Sequence, residues 1–146
     1  MNTVSSNEYS VRAVHPARKW IADSGAAISV VNSLESLNHG DIRTSDARVT
    51  VANGQAVRAE KTGGATLCLR DGDGKKICFT LKRVLYSPHF SGNLLSIKDL
   101  VRENNLLVIF NKGGAYLETR DGRKVFLESD YSLSPHSPRR SRRSRR

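Results

Sequence analysis

The sequence predicts an all-β fold, mainly β-strands with one short helix, in a single domain of roughly residues 18–131. Three hairpin signals carry this prediction: the Asn53-Gly54 pair inside a β-branched stretch, the turn residues 71–74, and Asp121-Gly122. Only the segment after Leu95 has the pattern of a helix. With 146 residues and 38% hydrophobic content, the chain can bury one modest core.

The first predicted strand is the apolar run 20–22, which ends at Asp23. A second strand is expected within 26–31, where β-branched residues are frequent, so this part of the chain predicts strand, tight loop, strand. The stretch 49–57 predicts a hairpin, because its central Asn-Gly tolerates the positive φ angles of a tight turn. Segments 65–69 and 77–81 predict the arms of a second hairpin.

Ser96 is the predicted N-cap of the helix, and Asp99 three residues later resembles the second member of a capping box. Leu95 and Leu100 have the spacing of a hydrophobic staple around that cap. The helix is expected to end at Asn104-Asn105.

A buried strand is predicted over 106–110, directly after the helix. The third hairpin follows, with arms at 115–117 and 125–127.

The two ends of the chain differ from its centre. Residues 1–17 are polar and without period, and we predict a flexible leader there; residues 132–146 are rich in Ser, Pro and Arg, and we predict disorder. Six of the 24 basic residues lie in 139–146, which leaves 18 against 14 acidic residues in the rest of a chain with a net charge of +10. We expect weak nucleic-acid binding through the tail arginines, Arg139, Arg140, Arg142, Arg143, Arg145 and Arg146.

The sequence favours neither a metal site nor a cofactor. Cys68 and Cys78 do not form a C-x-x-C pair and the four histidines are scattered. No apolar stretch approaches the ~20 residues that span a bilayer, and the N-terminus lacks the features of a signal peptide, so we predict an intracellular protein without a membrane partner. Cys68 faces Cys78 if Leu67 lies opposite Phe79, but an intracellular location predicts that both thiols are reduced.

The main candidate for chemistry is Asp23-Ser24-Gly25-Ala26. Asp23 follows an apolar strand, so its carboxylate is expected at a strand end beside the interior. Gly25 permits a tight turn, and the Ser24 hydroxyl can donate a hydrogen bond to a neighbouring oxygen. The alternative is a surface turn, because Asp, Ser and Gly are common turn residues, and the tetrapeptide by itself favours that alternative.

Further segments follow this loop in a fixed order: residues 63–67 (Gly-Gly-Ala-Thr-Leu), 84–88 (Val-Leu-Tyr-Ser-Pro), and 93–96 (Asn-Leu-Leu-Ser) with Leu100. Together with residues 20–26 they resemble the protease region of copia-type retrotransposon polyproteins. The Asp-Ser-Gly-Ala loop and the Asn-Leu-Leu-Ser segment also resemble retroviral aspartic proteases. The resemblance covers about 18–131 and does not include the Arg-rich tail. Copia-type sequences often have His-Met where this chain has Ile-Ser, at a position that is not catalytic.

The resemblance implies a retropepsin-like closed β-barrel that forms a homodimer, in which each subunit supplies one catalytic Asp23 from the loop Ser24, Gly25 and Ala26. Two carboxylates held close together cannot both ionise cheaply. One therefore takes a proton from the attacking water while its protonated partner polarises the scissile carbonyl of a peptide or polyprotein substrate. The resemblance also suggests a flap at Ala52, Asn53, Gly54 and Gln55, and a dimer interface in the strand 106–110, with Leu107 and Ile109.

Two other functions stay open. The chain could be an inactive retrotransposon-derived module for dimerisation or binding, with a basic tail that binds nucleic acid. It could also be a nucleic-acid binder whose tail is the working part, although this leaves the β domain unexplained. The intact Asp23 loop favours the endopeptidase. The Asn53-Gly54 hairpin is equally well explained as an ordinary turn.

Overall fold

The computed structural model describes residues 8–50 and 54–129. These residues form, in chain order, β1 (Tyr9–Arg12), β2 (Lys19–Asp23), β3 (Ser29–Val31), β4 (Arg43–Thr44), β5 (Arg48–Thr50), β6 (Ala56–Arg58), β7 (Lys61–Arg70), β8 (Lys76–Tyr86), β9 (Asn93–Ser96), α1 (Ile97–Asn104), β10 (Leu107–Asn111), β11 (Gly114–Glu118) and β12 (Lys124–Ser129). Two short 3-10 turns, Leu34–Ser36 and His39–Asp41, lie between β3 and β4. The predicted class, mainly β with one short helix, is confirmed.

Ten of the strands form one sheet in the order β10-β11-β12-β1-β2-β9-β3-β8-β7-β4, and β5 pairs with β6 in a separate hairpin. The end strands β10 and β4 do not pair with each other, so the sheet is not closed into a barrel over the described ranges. This differs from the closed β-barrel that the resemblance implies. The two residues of β4 pair only with β7, and so short a strand offers few backbone groups for closure.

The leader prediction is wrong over β1. This strand lies inside the sheet, pairs Val11 with Trp20 of β2, and pairs Tyr9 with Ser129 of β12. Val11 and Trp20 are each only 3% exposed, so both pack in the core. A four-residue strand between polar flanks is too short to show a hydrophobic period. Residues 1–7 of the predicted leader, and the predicted tail, lie outside the described residues.

All three predicted hairpins are present. In β7–β8, Leu67 pairs with Phe79 and Leu69 with Ile77, as the apolar pattern predicts.

The same register places Cys68 directly opposite Cys78, and a disulfide joins them. The expectation of two free thiols is therefore wrong in this structure. Side chains directly opposite on antiparallel strands are in contact, which is what allows this pair to bond.

The helix begins and ends where the sequence predicts, but its capping box is only half formed. Ser96 Oγ accepts a hydrogen bond from the Asp99 amide at 3.2 Å. The reciprocal bond is absent, because the Ser96 amide donates to Ser29 Oγ at 2.8 Å and the Asp99 carboxylate pairs with Arg102. Asn105 ends the helix in the left-handed conformation, at φ 56°.

The predicted buried strand after the helix is an edge strand. Leu106 is buried, but Leu107 and Phe110 of β10 are 63% and 54% exposed. An apolar run is typical of a central strand and equally of an edge strand with exposed apolar residues, so the sequence does not separate the two.

Candidate active site

Asp23 is the last residue of β2, at the strand end where the sequence places it. β2 lies between β1, to which it is antiparallel, and β9, to which it is parallel, with Asp23 opposite Ser96. β9 also pairs with β3, so it lies between the two strands that the Asp23 loop connects. The loop therefore starts and ends in the interior of the sheet, which fixes its position.

The loop closes on its own aspartate. The Gly25 amide donates to Asp23 Oδ1 at 2.8 Å, and the Ala26 amide donates to the Asp23 carbonyl at 3.4 Å. Asp23 is half-buried, whereas Ser24 and Gly25 are exposed. The backbone of Gly25 is not left-handed, and a Cβ there would lie 3.4 Å from Asp23 Oδ1, an ordinary contact. What residue 25 supplies is thus its amide rather than a special backbone conformation.

β9 holds the far side of the loop. Ser96 Oγ donates to the Ala26 carbonyl at 2.8 Å, while the Ser96 amide donates to Ser29 Oγ at 2.8 Å. Ser29 and Ser96 are completely buried. The sequence predicts Ser96 as the helix cap but does not indicate its hydrogen bond to Ala26, although Ser96 lies in the Asn-Leu-Leu-Ser segment. Nothing in the sequence distinguishes Ser29 from an ordinary strand residue.

The expected hydrogen bond from the Ser24 hydroxyl is not formed with any residue in 8–50 or 54–129. Its side chain is exposed beside Asp23. Ser24 is therefore available to a molecule that approaches the carboxylate.

A small apolar cluster joins the Asp23 loop to the β5–β6 hairpin. Its buried members are Ala26, Val30, Val57, Ala59, Leu85 and Leu94, with Ile28 and Val49 packed against them. In the hairpin, Arg48 pairs with Arg58 and Thr50 with Ala56, and Gly54 has a φ of +86°. Of the four predicted flap residues, Gly54 and Gln55 are described, whereas Ala52 and Asn53 lie outside the described residues.

The predicted interface strand, β10, ends close to the same region. Leu107 pairs with Glu118 and Ile109 with Tyr116 of β11, and the other side of β10 is the edge of the sheet. The Phe110 ring lies 5.8 Å from the ring of Tyr9, centroid to centroid. Tyr9 pairs with Ala22, the neighbour of Asp23, so the exposed end of β10 lies toward the end of β2 that carries Asp23.

Within residues 8–50 and 54–129, no three His, Cys, Asp or Glu side chains group closely enough to hold a metal ion. The same residues contain no helix with the length and apolar character needed to cross a bilayer.

The fold and the site define a small, mostly β domain that holds one carboxylate-bearing loop between sheet strands. A family model described as "Pol polyprotein, beta-barrel domain" matches residues 20–106, more than half of the chain, and the chain belongs to that family. The matched range includes the Asp23 loop, the β5–β6 hairpin and α1, but not β1 or β10–β12.

A relative from Arabidopsis thaliana, "Retrovirus-related Pol polyprotein from transposon RE2", is 28% identical over 100 residues. The similarity covers 68% of this chain but only 6% of that polyprotein. Together the two comparisons support a domain of a retrotransposon Pol polyprotein.

Proposed function

We propose that the chain is an aspartic endopeptidase that works as a homodimer and processes a retrotransposon polyprotein. The observation that carries the proposal is the support given to Asp23: its loop is hydrogen-bonded to β9 through Ser96, and the adjacent Ala26 packs with the base of a hairpin. A carboxylate held at a fixed position beside a hairpin suits the binding and hydrolysis of an extended peptide.

One chain supplies half of the required chemistry. Hydrolysis by an activated water needs one carboxylate as base and a second, protonated one to polarise the carbonyl. The aspartates that directly precede a glycine lie in hairpin turns, outside the strands: Asp71, Asp73 and Asp121. A second copy of Asp23, brought by a two-fold axis, supplies the missing group.

The edge strand β10 supports a dimer that brings the two loops together. Its exposed apolar residues, Leu107 and Phe110, offer surface for a second copy, and Phe110 lies near the end of β2 that carries Asp23. In this dimer Ser24, exposed beside the carboxylate, contacts the loop of the partner.

The β5–β6 hairpin acts as the flap in this proposal. Val57 anchors one strand of this hairpin in the cluster that contains Ala26. The turn closes over a peptide that lies against the Asp23 loop.

The test is cleavage of a peptide library at mildly acidic pH by the wild type and by Asp23→Asn, with and without a statine-type inhibitor. Asparagine keeps the shape of the side chain and can accept from the Gly25 amide, but it cannot ionise and so cannot activate water. We expect a loss of at least about 100-fold in cleavage rate. Circular dichroism and sedimentation of the variant should match the wild type. Ser24→Ala, which leaves the carboxylate intact, is the milder comparison.

Equal rates for the wild type and Asp23→Asn would remove Asp23 from the mechanism. A wild-type chain that is folded and dimeric but cleaves no peptide would favour the inactive dimerisation or binding module instead.

A further inference from the structure

A break in strand register lies between β7 and β8. Gly63 pairs with Val84, but Ala65 pairs with Leu81, so the single residue Gly64 lies opposite the two residues between Leu81 and Val84. This two-against-one arrangement is a β-bulge on β8, a feature that redirects side chains and is frequent beside functional sites.

The bulge brings two successive cations to one side of the sheet. In a regular strand, neighbouring side chains point to opposite faces. Here Lys82 and Arg83 are both exposed, whereas Leu81 and Val84 on either side of them are buried. Lys82 and Arg83 line the same groove, of about 540 Å³.

The opposite wall of this groove carries a third cation. Arg43 of β4 pairs with Thr62 of β7, and both line the groove. Gly64 lies at its base, where an added Cβ would come within 3.0 Å of Asp41 Oδ2 and 3.2 Å of the Leu81 carbonyl oxygen. Glycine therefore allows the two walls to approach each other.

The positive charge of the groove is not neutralised by the part of the chain that the structure describes. None of the three cationic side chains forms a salt bridge there, and Glu103 accepts a hydrogen bond from the backbone amide of Lys82, at 2.7 Å, and not from its ammonium group. Asp41 is the one carboxylate in the lining. The groove thus presents a net positive charge together with the Thr62 and Thr80 side chains.

We propose that this groove, which we call the β4–β8 groove, binds the phosphate backbone of a nucleic-acid strand. A nucleic-acid strand carries a negative charge on every nucleotide whatever its base sequence, so any strand that lies along the groove brings phosphates to Arg43, Lys82 and Arg83. A protein segment offers a comparable density of negative charge only where acidic residues are concentrated.

The lining contains no aromatic side chain, so the groove offers no surface on which bases stack. Binding is therefore independent of base sequence and strongly dependent on salt. The site is separate from the Asp23 loop and does not require peptidase activity.

The test uses fluorescence anisotropy with a labelled oligouridylate, in full-length chains whose six tail arginines are replaced by glutamine so that the tail does not contribute. Arg43→Gln, Lys82→Gln and Arg83→Gln together should weaken binding at least about tenfold at low salt. They should also reduce the slope of log affinity against log salt by about 2, at ~0.7 per lost phosphate contact on a single strand. The matched control replaces Lys75, Lys76 and Lys112, three exposed lysines outside the groove, by glutamine.

Equal affinities for the groove variant and the control variant would overturn the proposal. So would displacement of the oligouridylate by polyglutamate at the same concentration of charges, because the groove would then be a site for acidic protein segments. Amide chemical shifts of the chain with an unaltered groove provide a test without groove substitutions. Those of Gly63 and Gly64 should change on addition of oligouridylate, whereas those of Gly72 and Gly74 should not, and the reverse result would contradict the assignment.

Discussion

Ser96 connects three parts of the molecule through one side chain and one amide. Its hydroxyl caps α1 and holds the carbonyl of Ala26, and its amide donates to Ser29. A buried polar group costs free energy unless it is hydrogen-bonded, and here the hydroxyl and the amide of a fully buried residue are both hydrogen-bonded. Rotation or loss of this side chain therefore disturbs the helix start and the Asp23 loop together.

The sequence predicts Asp23 better than it predicts the residues that hold the Asp23 loop in place. Asp23 could be selected because an apolar strand precedes it and a turn follows. Ser29 could not, because a serine within a β-branched stretch has the pattern of an ordinary strand residue. Its contact with Ser96 depends on a strand order, β2-β9-β3, that local pattern does not specify.

The Asp71 side chain links the β7–β8 hairpin to the β11–β12 hairpin. Its carboxylate accepts from the Lys75 and Asp73 amides, each at 2.9 Å, and pairs with Arg123 of the loop between β11 and β12, at 2.8 Å. The Lys75 amide, followed by the Arg123 guanidinium and the Asp73 amide, lowers the pKa of Asp71 from its ordinary 3.8, although burial acts in the opposite direction.

The lowered pKa of Asp71 means that this carboxylate stabilises the fold more at neutral pH than at acidic pH. The unfolded chain takes up the proton first as the pH falls, so the contribution of Asp71 is fully present above about pH 4 and is lost as the pH falls through the lower folded pKa. Asp71→Asn should therefore lower the thermal midpoint at pH 7, and its deficit should shrink below about pH 4. Thermal melts of the two proteins from pH 2 to 7 measure both effects.

Asp73→Asn is the matched control in the same turn, because the Asp73 side chain is exposed and its amide, not its carboxylate, serves the network. An equal loss for both variants at pH 7 would contradict the special role of Asp71.

At the scale of elements, α1 covers a strand edge as well as packing on the core. Near the end of the helix, Asn104 accepts from the Thr80 amide at 2.9 Å and donates to its carbonyl at 2.7 Å, while Glu103 accepts from the Lys82 amide at 2.7 Å. These side chains occupy backbone groups of β8 that a neighbouring strand would otherwise pair. The open edge is thereby made unavailable to other chains.

Elements that have a strong local sequence signal are predicted correctly, whereas short strands without such a signal are not. The hairpins with Asn-Gly or Asp-Gly turns were found because glycine supplies the positive φ, as at Gly54, Gly74 and Gly122. β1 and β4 were missed, because four and two residues are too few to show a period. Their existence depends on the neighbours with which they pair.

The Cys68–Cys78 disulfide closes a loop of sequence separation 10 in the β7–β8 hairpin. Restricting the unfolded chain in this way stabilises the fold by about 2 to 3 kcal/mol. We expect a reducing agent to lower the free energy of unfolding by that amount, as measured by urea titration. The double variant Cys68→Ser, Cys78→Ser should unfold at the lower value with or without reductant. A wild type whose stability ignores the reductant would show that the bond is absent or contributes nothing.

At the scale of the molecule, the proposed activity depends on association. A monomer contains one Asp23, so specific activity should fall on dilution as dimers dissociate. Leu107→Asp places a charge on the exposed edge strand, where the monomer tolerates it but an apolar interface does not. We expect dimerisation to weaken at least about tenfold, or ~1.4 kcal/mol, with a parallel loss of activity.

Leu34→Asp, at another exposed leucine in a 3-10 turn, is the control for added charge. Analytical ultracentrifugation beside the cleavage assay separates loss of the dimer from loss of chemistry. A fully active monomer would contradict the half-site proposal.

The overall class could be predicted, but not the closure of the sheet. Hairpin signals and β-branched runs predict the individual strands. Whether the sheet closes depends on the distance between its two end strands, which no local pattern specifies. Neither β10 nor β4 carries a local mark of its position at the edge; the exposed Leu107 of β10 would fit a central strand equally well in sequence.

The hydrogen bond from Ser96 to Ala26 joins residues 70 positions apart, and this separation sets an order of events in synthesis. Closing so long a loop costs chain entropy before any contact repays it, so the Asp23 loop forms late in folding. A growing chain that has reached only residue 90 carries Asp23 without β9, hence without the strand that locks its loop. Under the proposed function, a nascent polyprotein stays uncut until its own protease segment has been made.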